Sequence, residues 1–329
     1  MNALFPELSV VVVSWNTVDM LRNCLLSLYA RVKELSLEVI VVDNGSTDGS
    51  VEMCEKDFPG VRLIRNGDNL GFGRANNQGI LISKAKLVLL LNSDTIVIAG
   101  TVEKMVKRMN EDPAIGVLGC RLILPDGSYQ PSCLNFPSLK RVLVERFLLY
   151  KLSAKLPQTV VEPPYVDSEI ECDYVVGACM LIRKRALEAV GMFDPDIFMY
   201  GEEMELCYRI HTAEWRIVFE PGAKIIHHRA GSWRKAAYSS TFLKRSAELL
   251  FFRKHFPVST YCTVRWLYAS GAMLRLVLWT FLYLCRTKER GSIVLEIRSN
   301  LKLLGTIMGD FVLHAEKHRP KKHVGKRKA

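Results

Sequence analysis

Four short stretches carry residue types that can do chemistry. Asn92-Ser93-Asp94 follows the apolar run Leu87–Leu91. A hard divalent cation such as Mg²⁺ or Mn²⁺ takes oxygen ligands and bridges two phosphates, and a carboxylate just beyond an apolar strand supplies one such ligand. The plainer role for Asp94 is to cap a following helix. Asp43-Asn44-Gly45-Ser46-Thr47-Asp48-Gly49-Ser50 follows Leu37–Val42. It is strong turn chemistry, and a carboxylate there can also accept from the N3–H of a uracil or thymine ring or from a ribose hydroxyl. Glu202, Glu203 and Glu205 open a helical pattern, where the macrodipole favours carboxylates. A general base that removes a proton from an attacking hydroxyl must be a carboxylate or histidine at the rim of a site. On a helix Glu202 and Glu205 share a face and Glu203 points elsewhere. His227-His228 ends a strand pattern, so at most one of the two faces a site, and a purely structural histidine is the alternative.

The elements that position these residues follow from the hydrophobic pattern. Strands are expected at Leu8–Ser14, Leu37–Asp43, Val61–Asn66 and Leu87–Asn92, with helices at Val18–Val32, Ser50–Asp57 and Arg74–Ser83 between them. Continuous apolar strands alternating with helices predict a parallel α/β sheet covered on both faces, with ligands beyond the carboxyl ends of the strands. Ser14, Asn16, Asp43, Asn92 and Asp94 all fall at those ends. A helix at Val102–Asn110 and a strand at Ile115–Leu124 come next, then a proline-punctuated stretch from Pro125 to about Val166. Asp173–Arg183 reads as one strand, Arg185–Val190 and Glu202–Ala213 as helices, and Arg216–Glu220 with Ala223–His227 as closing strands. No G-x-G-x-x-G follows a strand and no G-x-x-x-x-G-K-[ST] is present, which argues against dinucleotide and P-loop chemistry.

Composition bounds the rest. The 329 residues are 49% apolar, ample for one sizeable core with an appendage. Nine scattered cysteines without a C-x-x-C indicate buried thiols in a reducing compartment. The N-terminus has no basic n-region and no cleavable apolar region, so no signal peptide and a cytoplasmic chain are expected. The net charge of +11 includes seven Lys/Arg and no acidic side chain from Lys317 onward. Such a tail suits nucleic acid or an anionic membrane surface. The aromatic, apolar segment 261–285 just upstream favours the membrane, and no nucleic-acid partner is expected. Arg265 and Arg275 inside it disfavour a true span. A helix lying in the membrane interface with both arginines snorkelling to phosphates is expected instead.

The sequence resembles the family-2 inverting glycosyltransferases of GT-A fold, and within them the bacterial rhamnosyltransferase-like members that build cell-surface polysaccharides. Val11–Asn16, Val42–Ser50, Asn69–Asn77 and Leu91–Asp94 match in order, and Phe198–Glu203 and the segment around His227 complete the series. The resemblance runs from Leu8 to about His255. It implies a Rossmann-like, mostly parallel sheet as a catalytic domain over 1–257, with a helical, membrane-associating extension over 258–329. It further implies transfer of a hexose such as rhamnose from a dTDP- or UDP-sugar to a hydroxyl of a glycan or lipid-linked glycan, at the inner face of the plasma membrane. Ser14, Asn16, Asp43, Arg74, Asn92 and Ser93 would hold the nucleotide-sugar. Asp94 and His227 would hold Mg²⁺ or Mn²⁺, with His228 the second choice. Asn92 stands where the family has an aspartate, which implies water-mediated or ribose contact there. Glu203 stands where the family's base is an aspartate, so Glu202 and Glu203 both stay open as the base. A nucleotide-sugar-binding scaffold that has lost catalysis is the rival, supported by those two replacements. A nucleotidyltransferase would need a glycine-rich basic loop where Ser14-Trp15-Asn16 stands.

Overall fold

The computed structural model describes residues 5–147, 167–229, 240–285 and 290–308. The basic tail, Gly231-Ser232 and residues 148–166 of the proline-punctuated stretch lie outside them. The first half follows the expected alternation: β1 (Leu8–Ser14), α1 (Val18–Arg31), β2 (Leu37–Asp43), α2 (Ser50–Asp57), β3 (Arg62–Arg65), α3 (Phe72–Ile82) and β4 (Leu87–Asn92). Then come β5 (Thr95–Val97), α4 (Thr101–Glu111), β6 (Ile115–Ile123), β7 (Tyr129–Gln130), β8 (Cys133–Leu134) and α5 (Leu139–Arg146). The chain continues through β9 (Ile170–Glu171), β10 (Tyr174–Val175), β11 (Cys179–Arg183), α6 (Lys184–Val190), α7 (Glu202–Thr212) and β12 (Arg216–His227). Helices α8 (Ser240–His255), α9 (Val258–Cys285) and α10 (Arg290–Met308) complete it.

The main sheet runs β3-β2-β1-β4-β11-β6-β12-β5. Strands β1 to β4 are parallel, as their apolar runs require, but β11 enters antiparallel between β4 and β6. The sheet is therefore mixed beyond β4. Two readings of single elements are corrected. Asp173–Arg183 is two strands rather than one, and the chain around Gly177 changes sheets, pairing β10 with β8 and β11 with β4. The two closing strands are instead one, β12, with a bulge between Glu220 and Lys224 that absorbs Pro221-Gly222.

Alternate residues of each central strand feed two cores, the period-2 consequence of the pleat. Val10, Val12, Leu89 and Leu91 pack with Leu21, Leu25 and Leu28 of α1 and with Met105 and Met109 of α4. Val11, Ile40, Val88 and Leu90 face Ala75 and Ile80 of α3 and Leu206 and Ile210 of α7. The second core also takes Val264, Tyr268 and Ala272 of α9 and Leu303 and Ile307 of α10. The C-terminal helices are thus docked on the catalytic layer.

That docking overturns the expectation for the two arginines of α9. Both turn inward. Arg265 Nε donates to Ile307 O at 3.0 Å, and Arg275 Nη2 donates to Glu145 O at 2.6 Å. The Glu145 carbonyl belongs to the last turn of α5, where carbonyls lack intrahelical partners and attract cations. The outward side of α9 is left apolar: Val258, Trp266, Met273, Val277, Phe281 and Leu284 are exposed at helical spacing.

Candidate active site

Register alone aligns the first candidates. Ser14 pairs with Asp43 and Val13 with Asn92, so the carboxyl ends of β2, β1 and β4 form one edge. A hydroxyl chain crosses it, Ser14 Oγ to Thr17 Oγ1 at 2.9 Å and Thr17 Oγ1 to Ser93 Oγ at 3.0 Å. Asp43 folds its own loop: Oδ2 accepts from the N–H of Gly45 at 3.2 Å and of Ser46 at 2.9 Å. Its Oδ1 is buried without a partner.

Asn16 holds this loop rather than facing the edge. Its backbone is left-handed at φ +53°, its N–H donates to Ser46 Oγ and its Oδ1 accepts from Thr47 N–H at 2.8 Å. Asp48 Oδ2 accepts from Val18 N–H, which satisfies a donor at the start of α1 from the neighbouring loop. Asn44, unremarked in the sequence, is the loop's other tie. Its amide donates to Asn69 Oδ1 at 2.9 Å, and its Oδ1 accepts from Leu70 N–H at 3.1 Å.

The Asn69–Asn77 motif carries that tie onward to the glutamates. Phe72 N–H donates to Phe198 O, Asn77 exchanges two hydrogen bonds with the backbone of Phe193, and Arg74 Nε donates to Pro195 O at 2.7 Å. Arg74, expected to touch the nucleoside, is here a strut between α3 and the 193–198 segment. Gly71 makes the approach possible, with φ +87° and Phe198 O 2.3 Å from where a Cβ would stand. Gly71→Ala is expected to destabilise the fold by about 1–3 kcal/mol, read as a lower urea midpoint at unchanged slope. An unchanged midpoint would remove Gly71 from this argument.

Glu202 and Glu203 begin α7 behind a left-handed Gly201. Glu202 is 4% exposed, packs beside Gly73 and has Oε2 buried without a partner. Burial, with Glu203 beside it, holds its carboxyl well above the usual range. Glu203 lies over Gly177 and its Oε2 accepts from Gly201 N–H at 3.1 Å. Burial raises its carboxyl too, against the Gly201 N–H and the Lys244 ammonium. Glu205 does a separate job. It grips Arg209 with both oxygens and takes His255 Nε2 at 3.0 Å, and these partners hold its carboxyl low despite burial.

At the other end of the edge it is His227 that lies beside Asp94. Its Nε2 stands 3.2 Å from Asp94 Oδ1, while His228 is exposed and meets Asp94 only through its backbone N–H. Asp94 caps no helix, because β5 follows it, and β5 pairs antiparallel with β12 to bring Thr95 opposite His227. Gln130 Oε1 lies 2.9 Å from His227 Nδ1. With the proton on Nδ1, the Nε2 lone pair faces the same space as the Asp94 carboxylate, and the two together can hold a cation. Among the described residues no cluster of three or more His, Cys, Asp and Glu side chains exists. Two protein ligands with the remaining positions left to phosphate and water is the habit of Mg²⁺ and related hard ions, so this pair fits such an ion. Gln130 was missed by sequence reasoning because its two-residue strand carries no periodic signal.

Comparisons with known proteins bear on the family and the fold. The family described as "Glycosyl transferase family 2" matches residues 9–153. Over 299 residues the chain is 30% identical to an "N-acetylglucosaminyl-diphospho-decaprenol L-rhamnosyltransferase" of Mycobacterium tuberculosis, covering 86% of this chain and 96% of that protein. It is 27% identical over 227 residues to "Rhamnosyltransferase WbbL" of Escherichia coli, covering 67% of this chain and 82% of the relative. The fold matches GalNAc-T7, solved with UDP, GalNAc and Mn²⁺, at TM-score 0.60 and 15% identity, covering 97% of this chain and 59% of that one. It also matches the mannosyltransferase PcManGT of Pyrobaculum calidifontis, solved with GDP-Man and Mn²⁺, at TM-score 0.52 and 16% identity, covering 93% and 88%. The architecture is GT-A.

Proposed function

The chain belongs to glycosyl transferase family 2, and from that premise we propose that it moves rhamnose or a similar hexose from a dTDP- or UDP-sugar onto a lipid-linked glycan, with inversion. One observation carries the reading. Asp43 Oδ1 and Asn92 Oδ1 are buried acceptor oxygens without partners, at the edge where β2, β1 and β4 end. Each such oxygen costs about 1–3 kcal/mol unless something donates to it, and a nucleotide-sugar supplies base N–H and sugar hydroxyl donors.

In the proposed reaction Asp43 Oδ1 accepts from the base or ribose, and Asn92 from the ribose or a bound water. Asp94 and His227 would hold Mg²⁺ or Mn²⁺, an assignment supported by the Mn²⁺ bound in both fold neighbours. When bound, the ion neutralises charge on the diphosphate. Glu203 takes the acceptor's hydroxyl proton as its oxygen bonds to the anomeric carbon from the face opposite the nucleotide. The bond from that carbon to the diphosphate breaks, and its electron pair leaves with the nucleoside diphosphate. One base suffices, because no covalent sugar–enzyme intermediate forms. A panel of nucleotide-sugars, scored for nucleoside diphosphate release with and without EDTA, tests the reading. Release that needs both an acceptor and a divalent ion is expected, and no release from any donor would overturn it.

The acceptor's location follows from α9. Its stretch Val258–Leu284 is long and apolar enough to cross a membrane by composition, but one side of it is built into the protein core. We therefore assign its outward apolar stripe to the plane of the cytoplasmic leaflet, beside a lipid-diphosphate acceptor like the one in the mycobacterial relative's name. Residues 1–257 carry the chemistry in this reading, and those from Val258 onward the docking. Removing α9 would open the core at Tyr268, so charges placed on its outer face are the cleaner test. Trp266→Asp with Phe281→Asp should move the enzyme from the membrane to the soluble fraction without changing donor turnover. Wild type should stay bound in high salt, which screens the tail but not apolar burial. A wild-type chain found wholly soluble at low salt would end the membrane reading.

A further inference from the structure

The catalytic rim holds a cation that the proposed chemistry leaves unused. Lys244 lies in the second turn of α8, exposed, with Nζ 5.1 Å from the centre of the Tyr200 ring. Tyr200 has φ +67°, in the left-handed region, and leads into the Gly201 turn whose N–H holds Glu203. Helix α8 abuts that same turn, since a Cβ on Gly201 would stand 3.0 Å from Ala247 Cβ. Lys244 is therefore fixed relative to the carboxylate pair by packing, and its charge reaches Glu203. Its neighbour along the helix, Lys254, is paired with Asp194 and Asp196, whereas no carboxylate among the described residues pairs with Lys244.

The apolar stripe of α9 returns to this level. Tyr268 Oη donates to Glu248, and Arg275 lies within electrostatic reach of Arg245, so α8 and α9 run antiparallel. Four residues back along α8 from the Glu248–Tyr268 contact, Lys244 stands about level with Ala272 and the exposed Met273 and Leu274. Along the molecule the order is carboxylate pair, cation, apolar stripe. A sugar joined through phosphate to a hydrocarbon chain has the same order.

We propose that Lys244 is a specificity-determining residue that binds the acceptor phosphate next to the accepting sugar. This rests on the lipid-diphosphate reading of the acceptor and deepens it. The ammonium acts as a point charge for phosphate oxygens, and the Tyr200 ring holds the lysine stem over the rim.

The test presents one acceptor sugar to the full-length enzyme in two forms, on a short-chain prenyl diphosphate and on an alkyl chain without phosphate. Lys244→Gln should raise KM for the diphosphate form by about 10- to 100-fold, the loss of one charge-assisted contact. It should leave KM for the alkyl form unchanged, while loss of the ammonium beside Glu203 moves the acid limb of kcat upward equally for both acceptors, and Lys244→Arg should restore most of the affinity. Equal changes in KM for both acceptors, or no change for either, overturn the proposal. A wild-type enzyme that uses the alkyl form and ignores the diphosphate overturns the acceptor reading as well, whereas a preserved wild-type preference with an indifferent Lys244→Gln overturns Lys244 alone.

Discussion

Glu203→Gln is expected to lower kcat by roughly 10²–10⁴-fold with the donor's affinity almost unchanged, because the amide keeps the shape and loses the proton acceptor. The structure separates the two glutamates by burial. Glu202 is sealed under α3 and holds its proton to well above the ordinary carboxylate range, whereas Glu203 has the Gly201 N–H and Lys244 on its side. Ionisation of the pair therefore falls first to Glu203. The groups around it are Glu202, Lys244 and Gly201 N–H, with Tyr174 and Cys207 also feeling its charge. Because both carboxyls are raised, the acid limb of the kcat profile should lie above the usual carboxylate range. The pair should titrate as a unit. Stability runs the other way. A carboxyl with a raised folded pKa binds its proton more tightly in the native chain, so its burial is tolerated at low pH and penalised as pH rises through the folded value. Glu202→Gln should accordingly gain thermal stability over wild type at about pH 8 and lose that advantage at about pH 5. If Glu202→Gln shows the large loss of kcat and Glu203→Gln does not, the base is one residue earlier.

Asp94→Ala should have an effect of similar size. Charge neutralisation at a diphosphate leaving group is worth several kcal/mol, so transfer should fall by roughly 10²–10⁴-fold, along with the metal-dependent part of donor binding. The second expected signature lies at Gln130. Gln130→Leu leaves both proposed ligands in place but frees the His227 ring, and loss of such a supporting partner weakens metal affinity by about 10- to 100-fold. Titrating Mn²⁺ against donor turnover reads both variants. Full activity of Asp94→Ala, or of wild type in EDTA, would remove the metal from the reaction.

What the sequence by itself determined lies mainly in the first hundred residues. Apolar runs of six or seven residues that stop at a polar residue admit one arrangement, parallel strands with their polar ends at one edge. Ser14, Asp43 and Asn92 stand along that edge as their positions in the runs require. The glutamates at the head of α7 were legible for the same local reason, as carboxylates after a glycine turn opening an amphipathic helix. Other features depend on residues distant in the chain meeting face to face, and no local pattern encodes that. The β5–β12 pairing brings His227 rather than His228 beside Asp94, with Gln130, 97 residues away, on its other ring nitrogen. Arg74 becomes a strut because Pro195 offers a carbonyl, and Glu205 leaves the site because Arg209 and His255 hold it. The arginines of α9 look like membrane anchors in a one-dimensional reading. In the folded chain they donate to backbone carbonyls, Arg265 to α10 and Arg275 to the end of α5 across 130 residues. A helix end leaves carbonyls without partners wherever it falls, and which cation answers them depends on where tertiary packing brings that end to rest.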